Sequence, residues 1–226
     1  MKKEAQEILR ELKKHGSKRN IDGMARFGID SSSAYGVSMP IIRSIAKKLG
    51  KNHELGLELW KHDVHEAKIM SCLVLEPEKL TDKETERFVK GFYSWDLVDQ
   101  FCLNLLDKLP DARKKAIEWS KREREFEKRT GYALMAVLAV HDKKTGDKGF
   151  IKFLPHIARG ATDERNFVKK AVNWALRQIG KRSRMLNKEA IQCASRIQKI
   201  NNRAAKWIAN DALRELKSDA VKKRLK

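Results

Sequence analysis

The chain is poor in the residues that build disulfide scaffolds and irregular loops. Among 226 residues there are only three cysteines and four prolines. Cys72, Cys102 and Cys193 are far apart and lie within apolar helical patterns. They form neither a Cys-x-x-Cys pair nor a disulfide framework, so we expect buried free thiols in a reducing compartment.

Long hydrophobic runs are also missing. No apolar stretch approaches the roughly 20 residues needed to span a bilayer. The N-terminal segment "MKKEAQEILRELKKHG" begins with basic residues but continues as an amphipathic helix. It has neither the unbroken apolar stretch nor the small-residue cleavage site of a signal peptide. We therefore expect a cytoplasmic protein with no membrane partner.

Acidic residues are scarce relative to basic ones. Fifty Lys and Arg against thirty Asp and Glu give a formal net charge of +20. Such a surplus indicates a polyanionic partner, most commonly nucleic acid, although an evenly spread solubility charge is the alternative. Clustering favours nucleic acid, because the stretch "KKAVNWALRQIGKRSR" holds no acid and six cations: Lys169, Lys170, Arg177, Lys181, Arg182 and Arg184. No helix joins a basic face to a bulky apolar one, which disfavours a membrane surface.

Strand signals are nearly absent, and helical periodicity dominates. Stretches such as "EFEKRTGYALMAVLAVH" place apolar residues at three- and four-residue spacing, with good helix formers between them. The prolines fall near plausible helix boundaries, at Pro40, Pro77, Pro110 and Pro155. Because the connections are short, we expect an all-α chain with a single domain over residues 1–226.

A loose internal repeat runs through these helices. Phe126 and Phe167 head similar helices 41 positions apart, and "WALRQI" at 174–179 is echoed by "DALREL" at 211–216. Second helices of successive pairs are predicted to begin near Glu66, Asp96, Phe126, Phe167 and Ala204. This period predicts a right-handed solenoid of HEAT-like helical hairpins with a basic concave face. An irregular helical bundle is the alternative.

Several residues invite a chemical interpretation but have an ordinary one as well. Asp96 and Ser94 stand at a helix start, where both can cap. His62, His65 and Glu66 have a spacing that a metal permits, but no further ligand cluster completes a site, so we expect solvated or capping histidines. Three of the five tryptophans are predicted to be packing residues: Trp60, Trp119 and Trp207.

Three segments in register carry a family resemblance: "SWDLVDQ", "FEKRTGYALM" and "FVKKAVNWALRQIG". The chain resembles the AlkD-type DNA alkylation repair glycosylases, which are built from HEAT-like repeats. The resemblance implies that Asp99 is the catalytic aspartate and that Trp95 and Trp174 are active-site tryptophans. It also implies that Arg129 contacts DNA. The Trp-Asp-x-x-Asp motif of the family is intact here.

Other basic residues are candidates for contacts with the DNA backbone. In the C-terminal half we expect backbone clamps at Lys170, Arg177, Arg182 and Arg184. Near the N-terminus, Ser38 precedes Pro40 at a predicted helix start. Free backbone N–H groups there, together with Arg43, would hold another phosphate.

The resemblance implies a DNA glycosylase for cationic alkylated purines, of the 7-methylguanine or 3-methyladenine type, in duplex DNA. The implied reaction is simple hydrolysis by water without metal or organic cofactor, and we expect a monomer. Two alternatives stay open. One is a non-catalytic HEAT-like nucleic-acid-binding protein, and the other is a protein-binding scaffold whose basic groove takes acidic peptides.

Overall fold

The computed structural model describes residues 1–225 and is all-helical over that range, with fifteen α-helices, two short 3₁₀ segments and no strand. The chain divides into two compact units, the first spanning Met1–Leu109 and the second beginning at Pro110. Each unit has its own core. The expectation of a single domain stays a prediction.

The first unit contains seven α-helices and both 3₁₀ segments, Pro77–Lys79 and Leu106–Lys108. Its core holds an aromatic cluster in which the ring of Trp60 makes edge contacts with Phe88, Phe92 and Phe101. The helices are α1 (Lys2–Lys14), α2 (Lys18–Arg26), α3 (Met39–Leu49), α4 (His53–Trp60), α5 (His65–Val74), α6 (Asp82–Lys90) and α7 (Trp95–Asn104).

The second unit contains eight α-helices arranged largely as consecutive pairs. Its core includes the fully buried Trp119, Tyr132, Phe150 and Phe153. The helices are α8 (Ala112–Trp119), α9 (Glu125–His141), α10 (Asp147–Ile151), α11 (Leu154–Gly160), α12 (Asn166–Gly180), α13 (Arg184–Gln198), α14 (Arg203–Leu216) and α15 (Asp219–Arg224). The five predicted helix starts, from Glu66 to Ala204, are each confirmed to within one residue.

In the second unit, the internal repeat of the sequence corresponds to contacts between successive helices of the repeat. The rings of Phe126 on α9 and Phe167 on α12 lie 5.7 Å apart between centroids. Two further pairs join α12 to α14, from Asn173 to Asp211 and from Arg177 to Glu215, each at 2.7 Å. Because both pairs are 38 positions apart, α12 and α14 run parallel with successive turns facing each other.

Helix α9 lies at the centre of the second unit, with most of its residues buried. Gly131 permits this, because a Cβ at that position would overlap the backbone of Ser120 at the end of α8. The two helices therefore approach more closely than any larger residue allows. An α-helix whose side chains are buried on most of its faces is typical of such a central position.

The predictions for tryptophan and cysteine are confirmed with one exception. Trp60 and Trp119 are buried, but Trp207 is 41% exposed, so its assignment as a packing residue was wrong. All three cysteines are buried free thiols. Burial raises the pKa of the Cys193 thiol to about 11, which leaves it unreactive at neutral pH. Over residues 1–225, no helix combines the length and the apolarity that crossing a bilayer requires.

Candidate active site and nucleic-acid interface

Trp95 and Asp99 lie on the first turns of α7, which begins at Trp95. Both side chains are half-buried, and the i, i+4 spacing places them on one face of the helix. The indole Nε1 of Trp95 donates a hydrogen bond to the backbone carbonyl of Phe27, at 3.1 Å. This bond fixes the edge of the indole while part of the ring remains accessible.

Phe27 is a candidate functional residue that the sequence analysis missed. Its side chain is 73% exposed, although it follows directly on the last residue of α2 and lies beside Trp95 through the backbone bond. A large apolar side chain exposed next to a half-exposed indole is informative because such residues usually pack inward. In the sequence a lone phenylalanine gave no such signal, since a core position is its ordinary environment.

A buried hydrogen-bond network anchors the start of α7 to α5. The Nε2 atom of His65 lies 2.7 Å from a carboxylate oxygen of Asp96, and its Nδ1 atom lies 2.9 Å from the hydroxyl of Tyr93. The hydroxyl of Ser94 also donates to Asp96. His65 is only 1% exposed, so of the two expected roles, solvated or capping, the solvated one was wrong for this residue.

The ionisation of Asp96 follows from the same contacts. Burial acts to raise the pKa of Asp96, but the hydrogen bond and the charge of His65, with the bond from Ser94, hold that pKa below its ordinary value. The carboxylate therefore stays ionised and orients the first turn of α7. Asp96 anchors α7 to α5 through His65. Ser94 is the N-cap residue of α7 but its side chain makes no capping bond, so the predicted cap was wrong for Ser94.

Glu66 holds the segment that precedes α3. Its buried carboxylate accepts hydrogen bonds from the backbone N–H groups of Tyr35, Gly36 and Val37, at 3.0, 2.7 and 3.0 Å. Gly36 has a φ of +79°, and a Cβ there would overlap the backbone of Ser17. The three backbone hydrogen bonds make Glu66 a backbone anchor. Within residues 1–225 no group of His, Cys, Asp or Glu has the arrangement of a metal site.

The two N-terminal candidates for phosphate contacts follow this segment in the chain. Ser38 is the N-cap residue of α3 and is half-buried, and its side chain makes no capping bond to the helix. Arg43 is exposed on the second turn of the same helix. Arg43 and Lys47 line one shallow surface pocket together with Lys51. The observed positions are compatible with the predicted contact.

In the second unit, Trp174 is half-buried near the middle of α12, with the exposed Lys170 one turn before it. Arg184 is exposed at the first position of α13. Trp95 and Asp99 belong to the first unit, whereas Trp174 belongs to the second. The pairing of the two tryptophans around one lesion therefore stays a prediction.

Three of the arginines predicted to contact DNA are engaged within the protein. Arg129 is only 5% exposed, and its Nη1 donates to the carbonyl of Phe167 at 2.7 Å. Arg182 donates to the carbonyl of Ala139 at 2.6 Å and lies 3.9 Å from the ring centroid of Phe150.

Arg177 forms ion pairs with Glu215 at 2.7 Å and with Asp211 at 3.4 Å. Burial argues against a phosphate contact by Arg129, and internal partners weaken the case for the other two. The physical reason is that an arginine already holding carbonyls or carboxylates has fewer donors left for DNA.

Comparisons with known proteins agree with this all-helical architecture. A solved structure described as a new family of proteins related to the HEAT-like repeat DNA glycosylases, with affinity for branched DNA structures, superposes with a TM-score of 0.76. The match covers 93% of this chain and 95% of the other, at 19% sequence identity. The fold is thus the HEAT-like repeat fold of that class, as the sequence predicted.

The family is shown by sequence. The model of the DNA alkylation repair enzyme family matches residues 8–216, so the chain belongs to that family. A curated relative, an uncharacterised protein of Listeria innocua serovar 6a, is 27% identical over 108 residues. That alignment covers 46% of this chain and 48% of the relative, about half the length of each.

Proposed function

We propose that the protein is a DNA glycosylase that hydrolyses the N-glycosidic bond of cationic alkylated purines in duplex DNA. The observation that carries this proposal is the pair Trp95 and Asp99, one turn apart and half-buried on α7, in a chain with a net charge of +20. A carboxylate beside an indole is a site for positive charge. In a DNA-binding protein of a repair family, the charge to be stabilised is that of the lesion and its sugar.

Asp99 supplies the electrostatic part of the reaction. As the bond between a charged purine and its sugar breaks, positive charge develops on the sugar in an oxocarbenium-like transition state. A carboxylate about 4 Å away, at an effective dielectric near 20, stabilises that charge by about 4 kcal/mol. This corresponds to roughly a thousandfold in rate. The same carboxylate orients the water that attacks the anomeric carbon.

Trp95 and Trp174 favour the cationic lesion. An indole face attracts a cation by roughly 0.5 to 2 kcal/mol, depending on how dry the contact is. Such selection depends on charge and tolerates different base shapes. It therefore suits 7-methylguanine and 3-methyladenine alike. The hydrogen bond from Trp95 to the Phe27 carbonyl fixes the indole in advance, which reduces the ordering needed on binding.

Exposed cations of both units supply the backbone contacts. Arg43, Lys170 and Arg184 are the predicted residues whose side chains are exposed, and Ser38 stands at the start of α3. These residues position the duplex and carry no sequence information, as phosphate contacts generally do. The proposed reaction uses water as nucleophile, acts on one duplex per monomer and needs no added cofactor.

The direct test is release of free base from DNA containing 7-methylguanine. We expect Asp99→Asn to lower the single-turnover rate by about a thousandfold, since the stabilising charge is lost while the side-chain volume stays. Duplex affinity should stay the same or rise slightly. The matched control is Asp219→Asn, the same chemical change at a side chain that is 86% exposed on α15. Full activity of the Asp99 variant would rule out its catalytic role.

A non-catalytic binder is the second candidate. The specific observation in its favour is the fold match to a protein described as having affinity for branched DNA. Wild-type protein that binds branched or duplex DNA tightly but releases no base after long incubation would select this function. Binding of an acidic peptide without duplex affinity at low salt would instead select a protein-binding scaffold.

A further inference from the structure

Trp207 is an exposed tryptophan that the proposed excision chemistry does not use. It lies on the second turn of α14 with 41% of its surface exposed. The ammonium group of Lys169, on α12, lies 5.0 Å from the centroid of its ring. Exposed aromatic rings with cations beside them are typical of grooves that bind single-stranded nucleic acid.

The position of Trp207 follows from the register of α12 and α14. Lys169 and Trp207 are 38 positions apart, as are the pairs Asn173–Asp211 and Arg177–Glu215 further along. The three contacts are successive turns of one seam between two parallel helices. The first contact therefore lies at the end of the seam where both helices have their N-termini, whose partial positive charge attracts phosphate.

The charge around Trp207 is predominantly positive. The first two turns of α12 and α14 carry four basic residues: Lys169, Lys170, Arg203 and Lys206. All of them except Lys169 are exposed. The acids nearest in sequence, one just before α12 and one on α14, have partners within the protein. Glu164 accepts from Asn202 at 3.2 Å, and Asp211 accepts from Asn173 at 2.7 Å. The surface thus combines a flat ring with cations at close range.

We infer that Trp207 and its surrounding cations bind an unpaired DNA base next to a duplex, with the base stacked on the indole and its phosphates held by the lysines and Arg203. Inside a duplex both faces of a base are covered by its neighbours. A surface indole that also needs the flanking phosphates of the base within reach of its cations can therefore stack only on an unpaired base, which a single-stranded tail offers and a blunt duplex does not. The cations attract any DNA, and the stacking on the indole adds affinity only where a base is unpaired. The surface therefore prefers DNA with single-stranded segments to fully paired DNA. The inference rests on the DNA-binding part of the proposed function and is independent of base excision.

The test compares two DNAs with the same number of phosphates, a blunt duplex and a duplex with a short thymine tail. Wild-type protein should bind the tailed DNA more tightly. Trp207→Leu keeps apolar volume but removes the flat ring, and it should weaken binding to the tailed DNA by about tenfold. Binding to the blunt duplex should change by less than about twofold. Trp207→Phe should restore most of the loss.

Met185→Ala is the matched control, since Met185 is also an exposed apolar residue of the second unit, at 54%. It should leave both affinities unchanged. Thermal melting checks that each variant is folded. Equal wild-type affinity for the two DNAs, or an equal loss on both with Trp207→Leu, overturns the inference. Trp207-dependent binding of an acidic peptide without binding of the tail overturns it as well.

The glycosylase proposal and the stacking proposal can be refuted independently of each other. Trp207→Leu should still release 7-methylguanine from blunt duplex at the wild-type rate, and Asp99→Asn should keep full affinity for the tailed DNA. Absence of base release with a Trp207-dependent preference for the tail would refute the glycosylase alone. Base release without that preference would refute the stacking surface alone.

Discussion

At the scale of single residues, some of the basic side chains that the sequence predicts to contact DNA form contacts within the protein instead. Arg129, Arg177 and Arg182 all face carbonyls or carboxylates of their own unit. Lys170 and Arg184, from the same basic stretch of sequence, are exposed. Each of these side chains carries one positive charge. Only the packing therefore determines whether a given cation stabilises helices or is available to phosphate.

Substitution of Arg129 and of Arg184 should therefore have opposite consequences. Arg129→Gln should lower the free energy of unfolding by about 2 to 4 kcal/mol, because it breaks a buried charged bond to the Phe167 carbonyl. Arg184→Gln should leave stability unchanged to within about 0.5 kcal/mol but weaken duplex binding. Chemical denaturation and a DNA titration measure the two effects. A stable Arg129 variant with reduced DNA affinity would contradict the structural role.

At the scale of elements, neighbouring helices are tied by a few buried polar anchors. His65 and Glu66, adjacent on α5, hold two different segments: the start of α7 through Asp96, and residues 35–37 through the carboxylate of Glu66. The helices themselves were predictable from apolar spacing and capping residues. The anchors were not, because a histidine and a glutamate at a helix start look the same in sequence whether they face solvent or a neighbouring element.

A further anchor, at Asp163 just before α12, gives a prediction for pH. Burial acts to raise the pKa of Asp163, but hydrogen bonds from Arg165 and Lys128 hold it below the ordinary value. A lowered folded-state pKa means that the stabilisation is complete above the unfolded-state value near 4 and is lost as pH falls through the folded-state pKa. Asp163→Asn should cost about 2 kcal/mol at neutral pH and progressively less in acid.

Urea denaturation of wild type and the Asp163 variant, from neutral pH to below pH 3, measures this difference. Asp219→Asn serves as the control here too, since that side chain is 86% exposed. Its difference from wild type should stay small at every pH. A difference for Asp163→Asn that is independent of pH would show that the lost stability comes from packing.

At the scale of the whole molecule, the net charge of +20 should make DNA binding strongly dependent on salt. If six to ten phosphates are contacted, affinity should fall by about three to five decades between 50 and 200 mM salt. Lys170→Gln should reduce the slope of log affinity against log salt by about one. Arg177→Gln should reduce it less, because Arg177 already pairs with Glu215 and Asp211. Equal slopes for the two variants would contradict the division between paired and available cations.

The sequence by itself determined the helical class, the helix starts, the HEAT-like period and the family, because apolar spacing, breakers and short motifs are local properties of the chain. Tertiary structure decided which polar side chains face solvent. It placed Arg129 and His65 in the interior, left Phe27 and Trp207 exposed, and aligned Lys169 with Trp207 across two helices. The physical reason is that exposure and pairing depend on neighbours about 30 to 40 positions away, which come into contact only when the helices pack.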